Sequence, residues 1–327
     1  MSSVQSTEKP TAASSAVAQE SSDKVKVLYI GGQGRSGSTV LGRMMGEIDG
    51  CVHVGEVVYI WRPFLENRLC SCGEKFHECP FWTEVIREGF GGPDNIDHER
   101  ILSTKQRLER IRTLPRLMTP FRTAEDRAGV AFYLEFLGKL YATIKKVSGA
   151  RILIDGSKSP LYSYFLNQVP NVDMRTLHLV RDARAVTHSW QRRKVDPAIH
   201  WTEHRIGTYS PTYSAMEWSA QNEIISFLGL GRKHFKRMRY EDVIQDPKKA
   251  INEAFKLLDE PEPNLDFLDE SPINVAMQHI VNGNPDRFSQ TITLRPDFEW
   301  QEKMNPKYRR IVTWMTFPLL WKYGYKL

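Results

Sequence analysis

An α/β fold, a parallel sheet flanked by helices, is the class this sequence predicts, and three observations predict it. Short apolar runs alternate with longer stretches of helical periodicity along most of the chain. Those apolar runs end in polar residues, as strands buried on both faces do. The first run is also followed directly by Gly32-Gln33-Gly34-Arg35-Ser36-Gly37-Ser38-Thr39. That stretch has the outline of a phosphate-binding loop set between a strand and a helix, so the sheet is P-loop-like.

In chain order, residues 24–31 read as a buried strand and 39–48 as the helix after the loop. A segment punctuated by Gly, Cys and Pro fills 50–80, with no element assigned to it. Helical periodicity returns over 97–111 and more strongly over 125–147. Residues 151–155 and 175–180 are short apolar strands, and 182–194 and 211–230 are helices. A weaker strand with interleaved basic residues covers 235–240, and 246–258 is a helix. The Gly-, Asn- and Pro-rich stretch 281–295 reads as a loop. Ligands of such sheets sit beyond the carboxyl ends of the strands. Four predicted strand ends carry polar clusters, at 34–39, 155–158, 181–182 and 240–242, and fold logic brings them to one crevice.

Composition narrows the function. The 327 residues carry a formal charge of +6, and the isoelectric point is about 9.0. A basic balance suits an anionic ligand. Nucleic acid is not indicated, because the 45 Lys and Arg are interspersed with 39 Asp and Glu rather than gathered in a stripe. Residues 1–24 are polar and read as a disordered tail, leaving 25–327 as a single domain. No charged and hydrophobic leader pattern is present, and no membrane span is expected. The 4 cysteines do not make a disulfide scaffold, so a cytoplasmic setting is expected.

Two clusters carry chemistry. In the Gly-rich loop, backbone N–H groups and a positive helix end face an anion. Ser38 stands where a P-loop has the lysine that reaches the β- and γ-phosphates of a triphosphate. Arg35 is the fixed cation of the loop, so a phosphate is expected but not the usual triphosphate. The second cluster is Arg181-Asp182-Ala183-Arg184, where a strand ends and Asp182 is placed to cap a helix. Ser189 follows on the face of that helix that carries Ala185 and Val186.

Together the clusters resemble the sulfotransferases that use 3′-phosphoadenosine 5′-phosphosulfate (PAPS). Arg35-Ser36-Gly37-Ser38-Thr39 matches the family's (K/R)SG(S/T)T loop, and Arg181 to Ser189 matches its RDxRxxxxS segment. The resemblance implies the sulfotransferase fold and PAPS as co-substrate with no metal. It implies that Gly34, Arg35, Ser36, Gly37, Ser38 and Thr39 hold the 5′-phosphosulfate, and Arg181 with Ser189 the 3′-phosphate. The run from Arg181 to Val195 is similar to the tyrosylprotein branch. Arg239-Tyr240-Glu241-Asp242 resembles the family's RYEDL segment, and Gly283-Asn284-Pro285 the GNP stretch of a bacterial small-molecule branch. Tyr240, Gly283 and Asn284 join the donor-binding set on that ground.

The reaction needs a base and a cation at the transferred group. Glu56, in Val54-Gly55-Glu56, matches the segment holding the catalytic Glu of the tyrosylprotein branch. That branch has a second Glu next, where this chain has Val57. Lys158 resembles the branch's second catalytic lysine. The catalytic set is then Glu56, Lys158 and Arg35, with His53 as the alternative base. The expected partner is a small-molecule acceptor bearing a hydroxyl or, second, an amine. Tyr59, Ile60, Trp61 and Phe64 are either an acceptor lining or core. His188 is read as packing.

Cys70-Ser71-Cys72, with His77 and Cys79, has a spacing shorter than a zinc knuckle and no second pair. It reads as a loop with cysteines tucked beneath Phe81 and Trp82, and no metal is expected. Two other classes stay open: a P-loop small-molecule kinase or NTPase with Asp155 on magnesium, and a non-catalytic nucleotide- or glycan-binding protein of the same fold.

Overall fold

The computed structural model describes residues 24–327. The tail expected over 1–24 therefore lies outside the described residues, Lys24 apart. Five strands, β1 (Val25–Gly31), β2 (Cys51–Gly55), β3 (Ile152–Lys158), β4 (Val172–Val180) and β5 (Phe235–Arg239), form one sheet in the order β2-β3-β1-β4-β5. Every neighbouring pair is parallel.

The alternation of side chains along each strand divides the core in two. Val27, Tyr29, Leu153 and Met174 face one side, where the helix Ala124–Ser148 buries Tyr133, Leu137, Tyr141 and Ile144. Leu28, Ile30, Ile154, Leu177 and Leu179 face the other, under the helices Ser38–Met45 and Pro247–Leu257. The long helix starts on a capping box: Asp126 N–H donates to Thr123 Oγ1 (3.0 Å) and Thr123 N–H to Asp126 Oδ2 (3.4 Å). It ends at Gly149 with φ 65°, a conformation glycine reaches without strain.

Several elements go beyond the sequence expectation. The stretch 50–80 contains β2 and a short helix, Trp61–Glu66. β2 is five residues with a histidine at its centre, too short to show a period, and pairing with β3 defines it. The helices Pro80–Phe90 and Pro306–Lys322 are two more. In the second, Trp314 and Trp321 are exposed and Pro318 lies inside the helix, which blurs its apolar stripe.

The register of β2 positions the site. Pairing with β3 shifts between His53 and Gly55, and Gly55 has φ 84°. A Cβ at Gly55 would lie 2.7 Å from Ile280 Cγ2 and 2.9 Å from the Asn282 carbonyl oxygen. Only glycine admits both the turn and the close approach of that distant segment. Glu56 leaves the sheet beyond its carboxyl edge as a result.

Candidate active site

The carboxyl ends of all five strands open into one crevice of about 630 Å³, within the usual range for small-molecule sites. β1 contributes the loop from Gly34 to Thr39, β2 Glu56, β3 Lys158, β4 Arg181 and β5 Tyr240. Ser189, Gly283 and Asn284 also line it, so the structure brings the expected donor-binding set to one place, with Ser36 buried just behind the loop. Asp182 does not face it. Its carboxylate caps the helix Ala183–Trp190 by accepting from Arg184 N–H (2.8 Å) and pairs with the Arg184 guanidinium (2.7 Å).

The loop is shaped by backbone geometry. Arg35 and Gly37 have φ of 70° and 95°, which turns the N-terminus of the helix Ser38–Met45 toward the crevice with no side chain capping it. A Cβ at Gly37 would sit 2.1 Å from the Tyr240 ring. The Arg35 guanidinium lies 4.6 Å over the Trp190 ring and donates to Asn284 Oδ1 (3.3 Å). The Arg181 guanidinium stacks at 4.5 Å on Tyr240, donates to the Arg35 carbonyl (2.7 Å) and pairs with Asp297.

Facing the loop, Lys158 Nζ pairs with Glu56 Oε1. The same ammonium donates to Ser38 Oγ (3.3 Å) and to the Gly156 carbonyl (2.8 Å). Lys158 has φ 65°, a backbone state that costs a non-glycine residue about 1–3 kcal/mol and clusters at functional sites. Asn282 Nδ2 donates to Glu56 Oε2 (3.1 Å), holding the carboxylate from the other side. Lys158 and Glu56 are 12% and 13% exposed in their side chains, so the pair is screened from bulk water yet reachable from the crevice.

His53 is placed differently from the expectation of an alternative base. It is 2% exposed and lies beneath the crevice, where a Cβ on Gly42 would meet its Nε2 at 2.5 Å. Burial, then the charges of Lys158 and Arg43, push its pKa down to about 3. An imidazole that weakly basic, out of contact with the crevice, is poorly suited to take a proton. Asp155 also turns inward. Its carboxylate accepts from Ser157 N–H (2.7 Å) and from the Ser157 and Tyr141 hydroxyls, and burial raises its pKa to about 6. Those contacts occupy the group that the kinase reading would place on magnesium. Of the aromatic run, Tyr59 lines the crevice, while Ile60, Trp61 and Phe64 are core. His188 is half-buried and outside the crevice lining.

The family model described as "Sulfotransferase family" matches residues 28–264. This chain belongs to the sulfotransferase family. A search of curated proteins returns no match. Among solved structures, the sulfotransferase domain of the Synechococcus PCC 7002 olefin synthase superposes with a TM-score of 0.54 at 20% identity, covering 93% of this chain and 96% of that one. The sulfotransferase domain of the curacin biosynthetic pathway follows at 0.49 and 16%, covering 93% and 98%. STF9 of Mycobacterium avium gives 0.47 and 12%, covering 93% and 78%. At these identities the first likeness speaks for the fold. Among the described residues no helix is long and apolar enough to cross a membrane.

Several residues of this sulfotransferase's crevice escape the sequence reading. Asn282 adjoins Gly283, and Trp190 closes the Arg181 cluster, so both lay beside recognised motifs. Tyr209, Tyr213 and Asp297 carry no local signal, because only the fold brings them to the crevice. The cysteine loop differs too. His77 is exposed, and the histidine that meets the cysteines is His279, whose Nδ1 is 3.3 Å from Cys79 Sγ.

Proposed function

We propose that this sulfotransferase moves a sulfonate from PAPS to a hydroxyl of a small-molecule acceptor and releases adenosine 3′,5′-bisphosphate. The observation that carries the reading is the Glu56–Lys158 pair set against Ser38 at the mouth of the anion-binding loop. A base and a cation adjoin the place where an anion would end, as transfer requires.

The residues fit the donor. Arg35 Nε, Ser36 Oγ, Arg181 Nε and Trp190 Nε1 are buried polar atoms without a partner among the described residues. Buried donors of that kind suit a multiply charged anion, since leaving them unpaired costs about 1–3 kcal/mol each. Arg35, Ser36, Ser38 and the helix N-terminus would hold the 5′ end, and Arg181 with Ser189 the 3′-phosphate. When bound, the donor supplies an activated sulfonate on a phosphate leaving group.

Glu56 accepts the acceptor's proton on a carboxylate oxygen while Asn282 and Lys158 hold its orientation. Lys158 and Arg35 place positive charge beside the developing negative charge without moving, which lowers the cost of reorganisation. The Glu56–Lys158 pair, mostly out of water, keeps both charges strong. Tyr59, Tyr209 and Tyr213 line the open side of the crevice, with Tyr209 and Tyr213 rings 5.0 Å apart. That aromatic side suits an acceptor with a flat or apolar body.

Radiolabelled PAPS incubated with a panel of phenols, alcohols and amines tests the proposal. Label should pass to a hydroxyl acceptor with stoichiometric release of the bisphosphate. Absence of transfer to the whole panel, combined with no binding of the bisphosphate, would overturn it.

A further inference from the structure

Beside the crevice, which Arg68 lines, the stretch Arg68 to Cys79 folds into a tight knuckle. Leu69 and Lys75 form an antiparallel bridge, Cys70 N–H donates to the Glu74 carbonyl (2.8 Å), and Gly73 N–H donates to the Cys70 carbonyl (2.9 Å). Gly73 has φ 92°, which closes the turn and puts Cys70 and Cys72 on one side of it. Cys79 sits at the N-cap of the helix Pro80–Phe90, where the helix dipole favours a thiolate.

About 200 residues later the chain returns to this knuckle. Ser71 N–H donates to the Ile280 carbonyl (3.4 Å), Ile280 N–H donates to Ser71 Oγ (2.7 Å), and Trp82 Nε1 donates to the His279 carbonyl (3.0 Å). The His279 ring stacks on Phe81 at 5.2 Å. These contacts aim His279 Nδ1 at the thiols.

The Sγ atoms of Cys70, Cys72 and Cys79 and a ring nitrogen of His279 all lie within 4.8 Å of one another. The Cys72–Cys79 separation is 3.7 Å, Cys79–His279 is 3.3 Å and Cys70–His279 is 4.0 Å. A tetrahedral zinc with bonds of about 2.3 Å to sulfur and 2.0–2.1 Å to nitrogen has edges of roughly 3.8 Å (S–S) and 3.5 Å (S–N). The Cys72–Cys79 edge is close to the first value, and the two His279 edges lie on either side of the second. All three cysteines are free thiols, and Cys70 and Cys79 are buried.

We propose that Cys70, Cys72, Cys79 and His279 form a structural zinc site that fastens the 278–284 segment to the knuckle beside the crevice. Three thiolates and one imidazole complete a closed tetrahedral shell, the pattern of structural rather than catalytic zinc. Binding releases the thiol protons to solvent, and the bond energy becomes folding energy for the segments it joins. The consequence for the crevice is positional. Three residues after His279, Asn282 holds Glu56, and Asn284 holds Arg35. This inference stands apart from the donor chemistry, and its test needs no sulfonate transfer.

The full chain, produced without a polyhistidine tag in zinc-supplemented medium and desalted, should contain about one zinc per chain by elemental analysis. Exchange with Co²⁺ should give the intense visible bands of a tetrahedral site and the ultraviolet sulfur-to-metal band. His279→Ala should weaken zinc affinity at least about tenfold in a chelator competition, whereas His279→Cys should retain tight binding with a shifted cobalt spectrum. Should His279→Ala fail to fold, the cobalt spectrum of the unaltered chain still decides. Folded, reduced protein that holds no stoichiometric zinc and gives no tetrahedral cobalt spectrum overturns the proposal. So does a Cys72–Cys79 disulfide in the folded protein isolated under non-oxidising conditions.

Discussion

One wall of the crevice is built from neighbours in sequence and the other from strangers. The Gly34 to Thr39 loop and the Arg181 to Ser189 helix each follow a strand directly, and each holds its ligand groups within a few residues. The opposite wall joins Glu56, Lys158 and Asn282, which are separated by 102 and 226 residues in their pairwise contacts. Local backbone geometry orients the first wall. The second depends on β2 pairing with β3 and on the 278–284 segment being held in place. Donor binding should therefore tolerate damage that catalysis does not.

The sharpest way to separate the walls is Glu56→Gln. Shape and polarity persist but basicity is lost, so turnover should fall roughly 10²- to 10⁴-fold while affinity for the bisphosphate stays nearly constant. Near-normal turnover would remove Glu56 as the base. Arg181→Ala attacks the other wall. It should weaken a donor bearing a 3′-phosphate by about 2–5 kcal/mol and change affinity for a 3′-dephospho analogue far less. An equal loss for both would show that Arg181 supports the loop, through its bond to the Arg35 carbonyl, rather than the ligand.

The same contrast explains what could be read from the sequence. The loop, the Arg181 cluster and the alternation of β1, β3 and β4 are legible because periodicity and motif are local properties. β2 was hidden because five residues with a central histidine show no period. Its following residue, Glu56, came only through a family likeness. Cys70, Cys72 and Cys79 were visible, yet the sequence offered His77 as their partner. The actual neighbour, His279, arrives by a tertiary contact that spacing rules cannot encode. His53 illustrates the reverse: its residue type suits a base, but burial in β2 takes the chemistry away.

Asn282→Ala probes the link between the zinc proposal and the assembled wall. Loss of one hydrogen bond to the Glu56 carboxylate should slow turnover about tenfold with donor affinity retained. Stripping the metal should produce the same profile, a fall in rate without a loss of 3′-phosphate discrimination. Loss of discrimination instead would mean that the two walls are mechanically one.

Asp155→Asn leaves the chemistry of both walls in place and tests the floor between them through the pH dependence of stability. Burial raises the folded-state pKa from 3.8 to about 6, so the folded protein holds this proton more tightly than the unfolded chain. Stability from this group is present at low pH and is lost as pH rises from about 4 to 6, on the order of 3 kcal/mol in all. Chemical denaturation of both proteins across that range should show the asparagine variant with the flatter dependence. Parallel curves would place the Asp155 titration outside that window.

The central claim, that the crevice is built for a 3′-phosphorylated adenine nucleotide, is tested most directly by calorimetric titration of the unaltered protein. Adenosine 3′,5′-bisphosphate is run against ATP with magnesium under identical salt. The account predicts saturable one-to-one binding of the bisphosphate, at least about tenfold tighter than ATP, a margin of roughly 1.4 kcal/mol or more. ATP with magnesium binding as tightly or more tightly, or no binding of the bisphosphate, would contradict it.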